Sequence, residues 1–532
     1  MTPGPSANIT AKFPLAAAIQ AVAAIASINL ALTHQNLWPT PGIVPTFRLS
    51  VEAAIVVGVL ALAQGWPRTR PWVRRLAATA VLVLIVARYA QVTLAGLFGR
   101  PIDIAAEARH LPAVADLVLA AVDPWLVFEL ALTALVAAGI VAAAAAWSVR
   151  AIERAMDVRV TRRTLGGAAF AVMVVYAIGA SGLGSLTLFA EPVMPGIARQ
   201  VDFALERFRR GLPGAFAPAL ADSNLSGLRG ADVFAVFVES YGAAAHDGGG
   251  IAPALAQLGA AVSDAGWSAA SAFVSSPTFG GASWLAHATI MTGAEVRGPR
   301  AYEAFAAGGG DTLADRFRAA GYHTVALVPG IRGPWPEGDA LHVDHIVPAA
   351  GLTYAGPPIG WFGIPDQASF AWLGANELSA PGRDPVFVLF PTIMSHAPFV
   401  PVPEYLADWS RALDTDAFGL SLLPPLDPID WTAWVANYAA AISYELEVLA
   451  GFVGERAGTD TLLIVLGDHQ PPSIVSGTGA RWDVPVHVIV SRPGLLEPFI
   501  DGGFTRGLVP QGAALGGMGG VTKLLLEGFD GR

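Results

Sequence analysis

The chain has 532 residues, 54% of them hydrophobic and only 14% charged, a balance too apolar for a simple soluble enzyme and long enough for more than one domain. A formal net charge of −10 argues against nucleic acid as a partner, because phosphate binding needs Lys and Arg clustered on one face. With no cysteine there is no disulfide, thiolate metal ligand or Cys nucleophile, so any bound metal must be held by oxygen and imidazole.

Five N-terminal stretches are apolar and long enough to suggest membrane spans, near 13–33, 47–64, 76–98, 124–149 and 168–189. The second is the shortest and carries Glu52. The first is too long, and too plainly followed by further spans, to read as a cleaved signal peptide. Arg68, Arg70, Arg74 and Arg75 follow the second span, and Arg150, Arg154, Arg159, Arg162 and Arg163 follow the fourth, which predicts cytoplasmic loops there. Lys12 favours a cytoplasmic N-terminus. Five spans then deliver the rest of the chain to the outer face. The expected organisation is a transmembrane domain over 1–190, a juxtamembrane linker over 191–229 and an extracytoplasmic domain over 230–532. In the linker, Ile197, Val201, Leu205 and Phe208 share one helical face, with Arg199, Arg207, Arg209 and Arg210 elsewhere. Such a helix can lie on the bilayer surface or pack on the outer domain.

From about residue 230 short apolar runs alternate with helical patterns, predicting an α/β domain with a mostly parallel central sheet. The expected strands are 233–238, 268–274, 323–328, 386–390, 462–466 and 486–490. Helical patterns lie between them, including 312–321 and 431–453. Ligands in such folds bind beyond the carboxyl ends of the strands. Glu239 follows the first strand, His396 closes the loop after the fourth, and Asp468 with His469 follow the fifth. All three places fall on one rim.

Glu239, Asp468 and His469 offer two carboxylates and an imidazole, a ligand set for a hard or borderline divalent cation. The segment SPTFGGASWLAHATIMTG supplies two candidate nucleophiles, Thr278 and Ser283. Ser283 follows a Gly280–Gly281 turn and opens a helix, where metal and helix dipole both favour an alkoxide. Thr278 stays open as an alternative, with turn stabilisation as its other reading. His287, one turn after Ser283, either faces the site or packs on a neighbouring strand. His342 and His345, flanking Asp344, read as substrate contacts or as a half-buried strand. His323 and His487 sit in strand patterns, and nothing near His246 indicates a role.

These motifs resemble the alkaline phosphatase and sulfatase superfamily, in particular its membrane-anchored branch of lipoteichoic acid synthases and phosphoglycerol transferases. Ser283 followed by Thr292–Gly293 reproduces the nucleophile-to-Thr-Gly spacing of sulfatases, and Glu239, Ser283 and Asp468–His469 occur in the branch's order. Where the synthases have a Thr nucleophile, this chain has Ser283. The resemblance implies one divalent metal held by Glu239, Ser283, Asp468 and His469, manganese favoured over zinc or magnesium. It implies His396 in SHAPF as a substrate-side catalytic histidine, and Arg332, Trp335 and His287 as substrate contacts. The implied activity is transfer of a phospholipid headgroup phosphate, best glycerol phosphate from phosphatidylglycerol, through a phospho-Ser intermediate to a glycan or glycolipid acceptor. The implied setting is a multi-pass protein of a bacterial-type plasma membrane with a periplasmic or extracellular catalytic domain. Phosphoethanolamine transfer and phosphodiester hydrolysis are the alternatives. True sulfatase activity is not expected, because Trp284, Leu285, Ala286 and His287 after Ser283 do not form the context in which formylglycine is made. Phosphoethanolamine transferases usually carry disulfides, which this chain cannot form.

Overall fold

The computed structural model describes residues 15–36, 43–98, 103–108, 123–210, 216–248, 250–308, 310–419, 433–477 and 479–531, with a few isolated positions between 111 and 119. The chain forms two compact units, Met1–Thr93 with Asp123–Leu205, and Leu94–Val122 with Glu206–Arg532.

The first unit is built on α1 (Leu15–Thr33), α2 (Val51–Ala63), α3 (Arg70–Phe98), α4 (Pro124–Ala155), α5 (Arg159–Ala180) and α6 (Met194–Arg210). By length and composition, α1, α3, α4 and α5 can each cross a membrane. The span expected at 47–64 is the 13-residue α2, about 20 Å long at 1.5 Å per residue and short of a bilayer core of about 30 Å. Glu52 explains its placement. The Ser50 side chain caps the helix, and Glu52 Oε1 accepts the backbone N–H groups of Val193 and Met194 at the start of α6. The last span begins nine residues before its expected start and ends at Ala180, because Gly182 adopts a left-handed conformation that leads the apolar run 183–188 out of the helix. Helices α1 and α4 pack together, as do α2 and α5. At the end of α4, buried Glu153 accepts hydrogen bonds from Arg70 and Arg74, so part of the expected cytoplasmic arginine cluster also ties α3 to α4.

The second unit is an α/β domain. Its principal elements are β1 (Asp232–Val238), α7 (Ala252–Asp264), β2 (Ser268–Ser275), α8 (Trp284–Thr292), α9 (Leu313–Ala319), β3 (His323–Val328), β4 (His345–Pro348), α10 (Asp366–Asn376), β5 (Val386–Pro391), α11 (Trp434–Glu455), β6 (Thr461–Gly467), β7 (Asp483–Val490), β8 (Thr505–Arg506) and α12 (Gly519–Gly528). Eight strands form one sheet in the order β8-β2-β7-β6-β1-β5-β3-β4. β6, β1, β5, β3 and β4 pair in parallel, whereas β7 is antiparallel to both its neighbours, which turns β2 back to the direction of β1.

Every residue of β1 and β6 is buried, as uninterrupted apolar runs require when both faces of a strand are covered. One face packs on α7, α10 and α11 through residues such as Leu258, Phe370 and Phe452, and the other on α8, α9 and α12 through Leu285, Phe317 and Leu525. The expected strands appear within one to three residues of their predicted ends. LHVDHI is a strand only from His345 onward, because Leu341 ends a 3-10 turn and His342 is left-handed at φ 56°.

Candidate active site

The carboxyl ends of β1, β2, β3, β5 and β6 lie on one rim, and loops from β1, β2 and β6 bring the predicted ligands together. Gly467 ends β6 where a Cβ would collide with the carbonyl oxygen of Tyr241, so only glycine lets Asp468 follow so closely on the turn after β1. After β2, Gly280 and Gly281 adopt φ 65° and 140° and turn the chain into α8. Ser283 is the N-cap of that helix, but its hydroxyl makes no capping bond. Instead Oγ donates to Glu239 Oε2 at 3.0 Å and lies 3.2 Å from His469 Nε2.

The protonation state of His469 follows from its neighbours. Nδ1 faces the Gln470 carbonyl oxygen at 2.9 Å, and a carbonyl only accepts, so Nδ1 carries the proton. In the neutral ring this leaves an Nε2 lone pair directed at Ser283 and Glu239. Glu239 Oε1 accepts from Ser240 Oγ at 2.9 Å and lies 3.5 Å from His469 Nε2. The Ser395 hydroxyl donates to the Glu239 carbonyl, and the Glu239 N–H donates to Thr392 Oγ1, so the loop after β5 steadies Glu239. Asp468 Oδ1 accepts the N–H groups of Ser240 and His469.

Asp468 Oδ2 is buried, makes no well-formed hydrogen bond among the described residues and lies 3.5 Å from His469 Nε2, with Glu239 and Ser283 as its polar neighbours. A buried, unpaired carboxylate oxygen is costly unless a cation meets it. One ligand atom from each of Glu239, Asp468 and His469 lies within 4.8 Å of the others. Burial, reinforced by the negative charge of Glu239, pushes the Asp468 carboxyl well above the usual range. Burial acts most strongly to raise Glu239, but the neighbouring imidazoles of His469 and His396 together with hydrogen bonds from Asp468 and Ser240 hold that carboxyl low. Two adjacent buried carboxylates, an imidazole lone pair and an orphaned oxygen fit a divalent cation.

The other predicted residues fall around this cluster. His287 packs on the neighbouring strand and lies near the cluster. Its ring packs on Phe237 of β1 with centroids 4.6 Å apart, and it lies within electrostatic reach of Glu239 and His469. Burial pushes its pKa down to about 4, and Nε2 is buried with no partner among the described residues. His396 is exposed, its Nδ1 hydrogen-bonded to the Ala397 carbonyl and its ring edge-on to Phe362. Arg332 lies exposed on the loop after β3, beside Gly363 and thus next to the Phe362 that supports His396. Trp335 is half-buried and packs against the core face that carries α8. Thr278 is fully buried, and its hydroxyl donates to the Gly281 carbonyl at 2.6 Å, fixing the turn that presents Ser283.

Ser240, Thr392 and Ser395 escape a sequence reading, although each lies within a few residues of a strand's carboxyl end. So does Asp366, whose Oδ2 accepts the N–H groups of Ile393 and Met394 and anchors the loop bearing His396. Burial pushes that carboxyl up to about 6.

No protein-family model matches the chain, and no curated protein does. Among solved structures it is similar to a protein of the alkaline phosphatase superfamily from Vibrio parahaemolyticus, at 18% identity over 57% of this chain and 72% of that one, with a TM-score of 0.34. It is similar to the phosphoglycerol transferase GacH of Streptococcus pyogenes, solved with sn-glycerol-1-phosphate, at 11% identity over 52% and 77%, with a TM-score of 0.34. The lipooligosaccharide phosphoethanolamine transferase A of Neisseria meningitidis, an integral membrane protein, matches at 14% identity over 83% and 81%, with a TM-score of 0.42. Similarity of this degree carries neither a substrate nor an activity across.

Proposed function

We propose that this chain is a membrane-bound, metal-dependent phosphotransferase of the alkaline phosphatase superfamily, with Ser283 as its nucleophile. Its donor is a phospholipid, best phosphatidylglycerol, and its acceptor a hydroxyl of a glycan or glycolipid at the outer face of a bacterial-type plasma membrane. The observation that carries this reading is the Ser283 hydroxyl, 3.0 Å from Glu239 and 3.2 Å from His469, beside the orphaned Oδ2 of Asp468. A helix-capping or merely structural serine would have spent that hydroxyl elsewhere.

Glu239, Asp468 and His469 would hold the cation, with Ser283 beside it; manganese is favoured, with zinc and magnesium as the other candidates. When bound, the ion supplies positive charge that favours the serine alkoxide and neutralises a nonbridging phosphate oxygen. Ser283 Oγ, at the positive end of α8, attacks the headgroup phosphorus while the bond to the diacylglycerol oxygen breaks in line. The Ser283 proton has an acceptor at hand in Glu239 Oε2. In this reading His396, exposed and within electrostatic reach of Glu239, gives a proton to the departing alkoxide and takes one from the acceptor hydroxyl that resolves the phospho-Ser diester. Arg332 is a cation suited to a headgroup phosphate beside Phe362.

The test offers the detergent-solubilised full chain fluorescent phosphatidylglycerol and phosphatidylethanolamine in parallel, with and without added manganese. The expected result is metal-dependent diacylglycerol release from phosphatidylglycerol and a glycerol phosphate adduct on the peptide containing Ser283. Release from phosphatidylethanolamine alone would move the proposal to ethanolamine phosphate. Release of free headgroup phosphate with no dependence on an acceptor would make the protein a hydrolase.

A further inference from the structure

At the end of the sheet opposite the catalytic rim, three side chains with no part in that chemistry converge. His323 opens β3, His345 opens β4, and Glu377 is the C-cap of α10. β3 and β4 are parallel neighbours with Val325 paired to His345, which puts His323 two residues away on the same face of the sheet. Val325 shares a core cluster with Leu373, one turn before Glu377, so α10 delivers Glu377 to that face. His345 Nδ1 lies 2.8 Å from Glu377 Oε1, and His323 Nε2 lies 3.4 Å from Glu377 Oε2. One ligand atom from each residue falls within 4.8 Å of the others. Thr324 is level with Phe387 and Val233, five residues before Val238, so the cluster lies about 17 Å or more from the catalytic carboxylates along the strands.

We propose that His323, His345 and Glu377 form a second divalent-metal site, of the zinc type and separate from the catalytic one. Two imidazoles and a carboxylate are a borderline ligand set that suits zinc. Around a tetrahedral ion with bonds of about 2.0–2.1 Å, ligand atoms stand roughly 3.3–3.4 Å apart. The His323–Glu377 pair already has that spacing. His345 Nδ1 lies 2.8 Å from the other oxygen, Oε1, and must swing toward Oε2 to share the same ion, a shift available to a side chain that is 47% exposed.

A second observation points the same way. The other ring nitrogen of His323, Nδ1, faces Asp344 Oδ2 at 3.8 Å. Asp344 is itself fixed by the Thr324 N–H and hydroxyl and by Arg318. A metal-bound histidine usually donates its other N–H to a carboxylate, and Asp344, at 3.8 Å, stands where a small rotation of the His323 ring would make that bond. No hydroxyl hydrogen-bonds to any of the three ligands among the described residues, so the site binds without a nucleophile. Its effect is to clip the outer strand β4 to β3 and to the end of α10.

The test counts zinc on the full chain in detergent, stripped with a chelator, reloaded with zinc chloride and desalted. The reference is the Asp468→Ala/His469→Ala variant, which removes the catalytic ligands. It is expected to retain one zinc, and to lose it when His345→Ala is added. Glu377→Gln in the same background should weaken that zinc by at least about 100-fold, beyond the 10–100-fold typical of an outer partner. Cobalt(II) on the reference variant should give the strong visible absorption of a tetrahedral ion and lose it with Glu377→Gln. Zinc absent from the reference variant, or retained after both His345→Ala and Glu377→Gln, would overturn the proposal. The wild-type count reports separately on the catalytic site.

Discussion

The two ends of the sheet in the second unit carry nearly the same ligand chemistry in opposite settings. At the carboxyl rim, Glu239, Asp468 and His469 are buried or nearly so, one oxygen makes no well-formed hydrogen bond among the described residues, and a serine hydroxyl points into the cluster. At the other end, His323 and His345 are 40% and 47% exposed, the ion pairs are closed, and the nearby Thr324 hydroxyl serves Asp344 instead. A third group shows that burial alone does not make a site. Inside the domain the Tyr241 hydroxyl hydrogen-bonds to both His246 and His487, and His487 also bonds to Ser271, so both nitrogens of His487 are occupied. What separates the three is which polar atoms remain unsatisfied and whether a nucleophile faces them.

The comparison breaks most visibly at Asp468. Asp468→Ala should lower diacylglycerol release at least about 1,000-fold, as the loss of a group acting as a unit with the nucleophile does, while the zinc on His323 and His345 is retained. His396→Gln should cost about 100-fold in kcat, the scale of general acid–base help. If release were unchanged, the proton would be travelling by another route. His345→Ala should leave turnover within about twofold, since its cluster lies a strand length from the reacting atoms. A large loss of kcat there would join two ends that the structure keeps apart.

The smallest effect concerns the inner group. Burial pushes His246 down to about 4 and His487 to about 3, below the ordinary value of about 6.5. The unfolded chain therefore binds more protons than the folded one in this window. The stability contributed is present above pH 6.5 and is lost as pH falls toward 4. Thermal melts should drop progressively from pH 7 to pH 4, and His487→Gln should make that drop shallower. An unchanged midpoint across the range would show that these rings are not held neutral by the fold.

Much of the candidate site was legible because its residues follow apolar runs or turns: Asp468 after Gly467, Glu239 after Val238, Ser283 after a glycine turn. Periodicity located six strands, and the rule that ligands gather at their carboxyl ends did the rest. The expected span at 168–189 runs past the end of its helix because hydropathy does not register the turn at Gly182. Asp366 and Ser395 were hidden because their contacts cross between loops that only the tertiary fold brings together. The His323 cluster was hidden for a related reason. His323 and His345 meet only if β3 and β4 are neighbours, and strand order is not written in any local pattern. The role of Thr278 needed the hydroxyl's direction, which a sequence does not contain.

The most direct measurement of the central claim is diacylglycerol release from phosphatidylglycerol by Ser283→Ala, with added manganese and a melt matching that of the unaltered chain. The account predicts metal-dependent release by the unaltered chain and none above background from Ser283→Ala. Release by Ser283→Ala at the rate of the unaltered chain would contradict it.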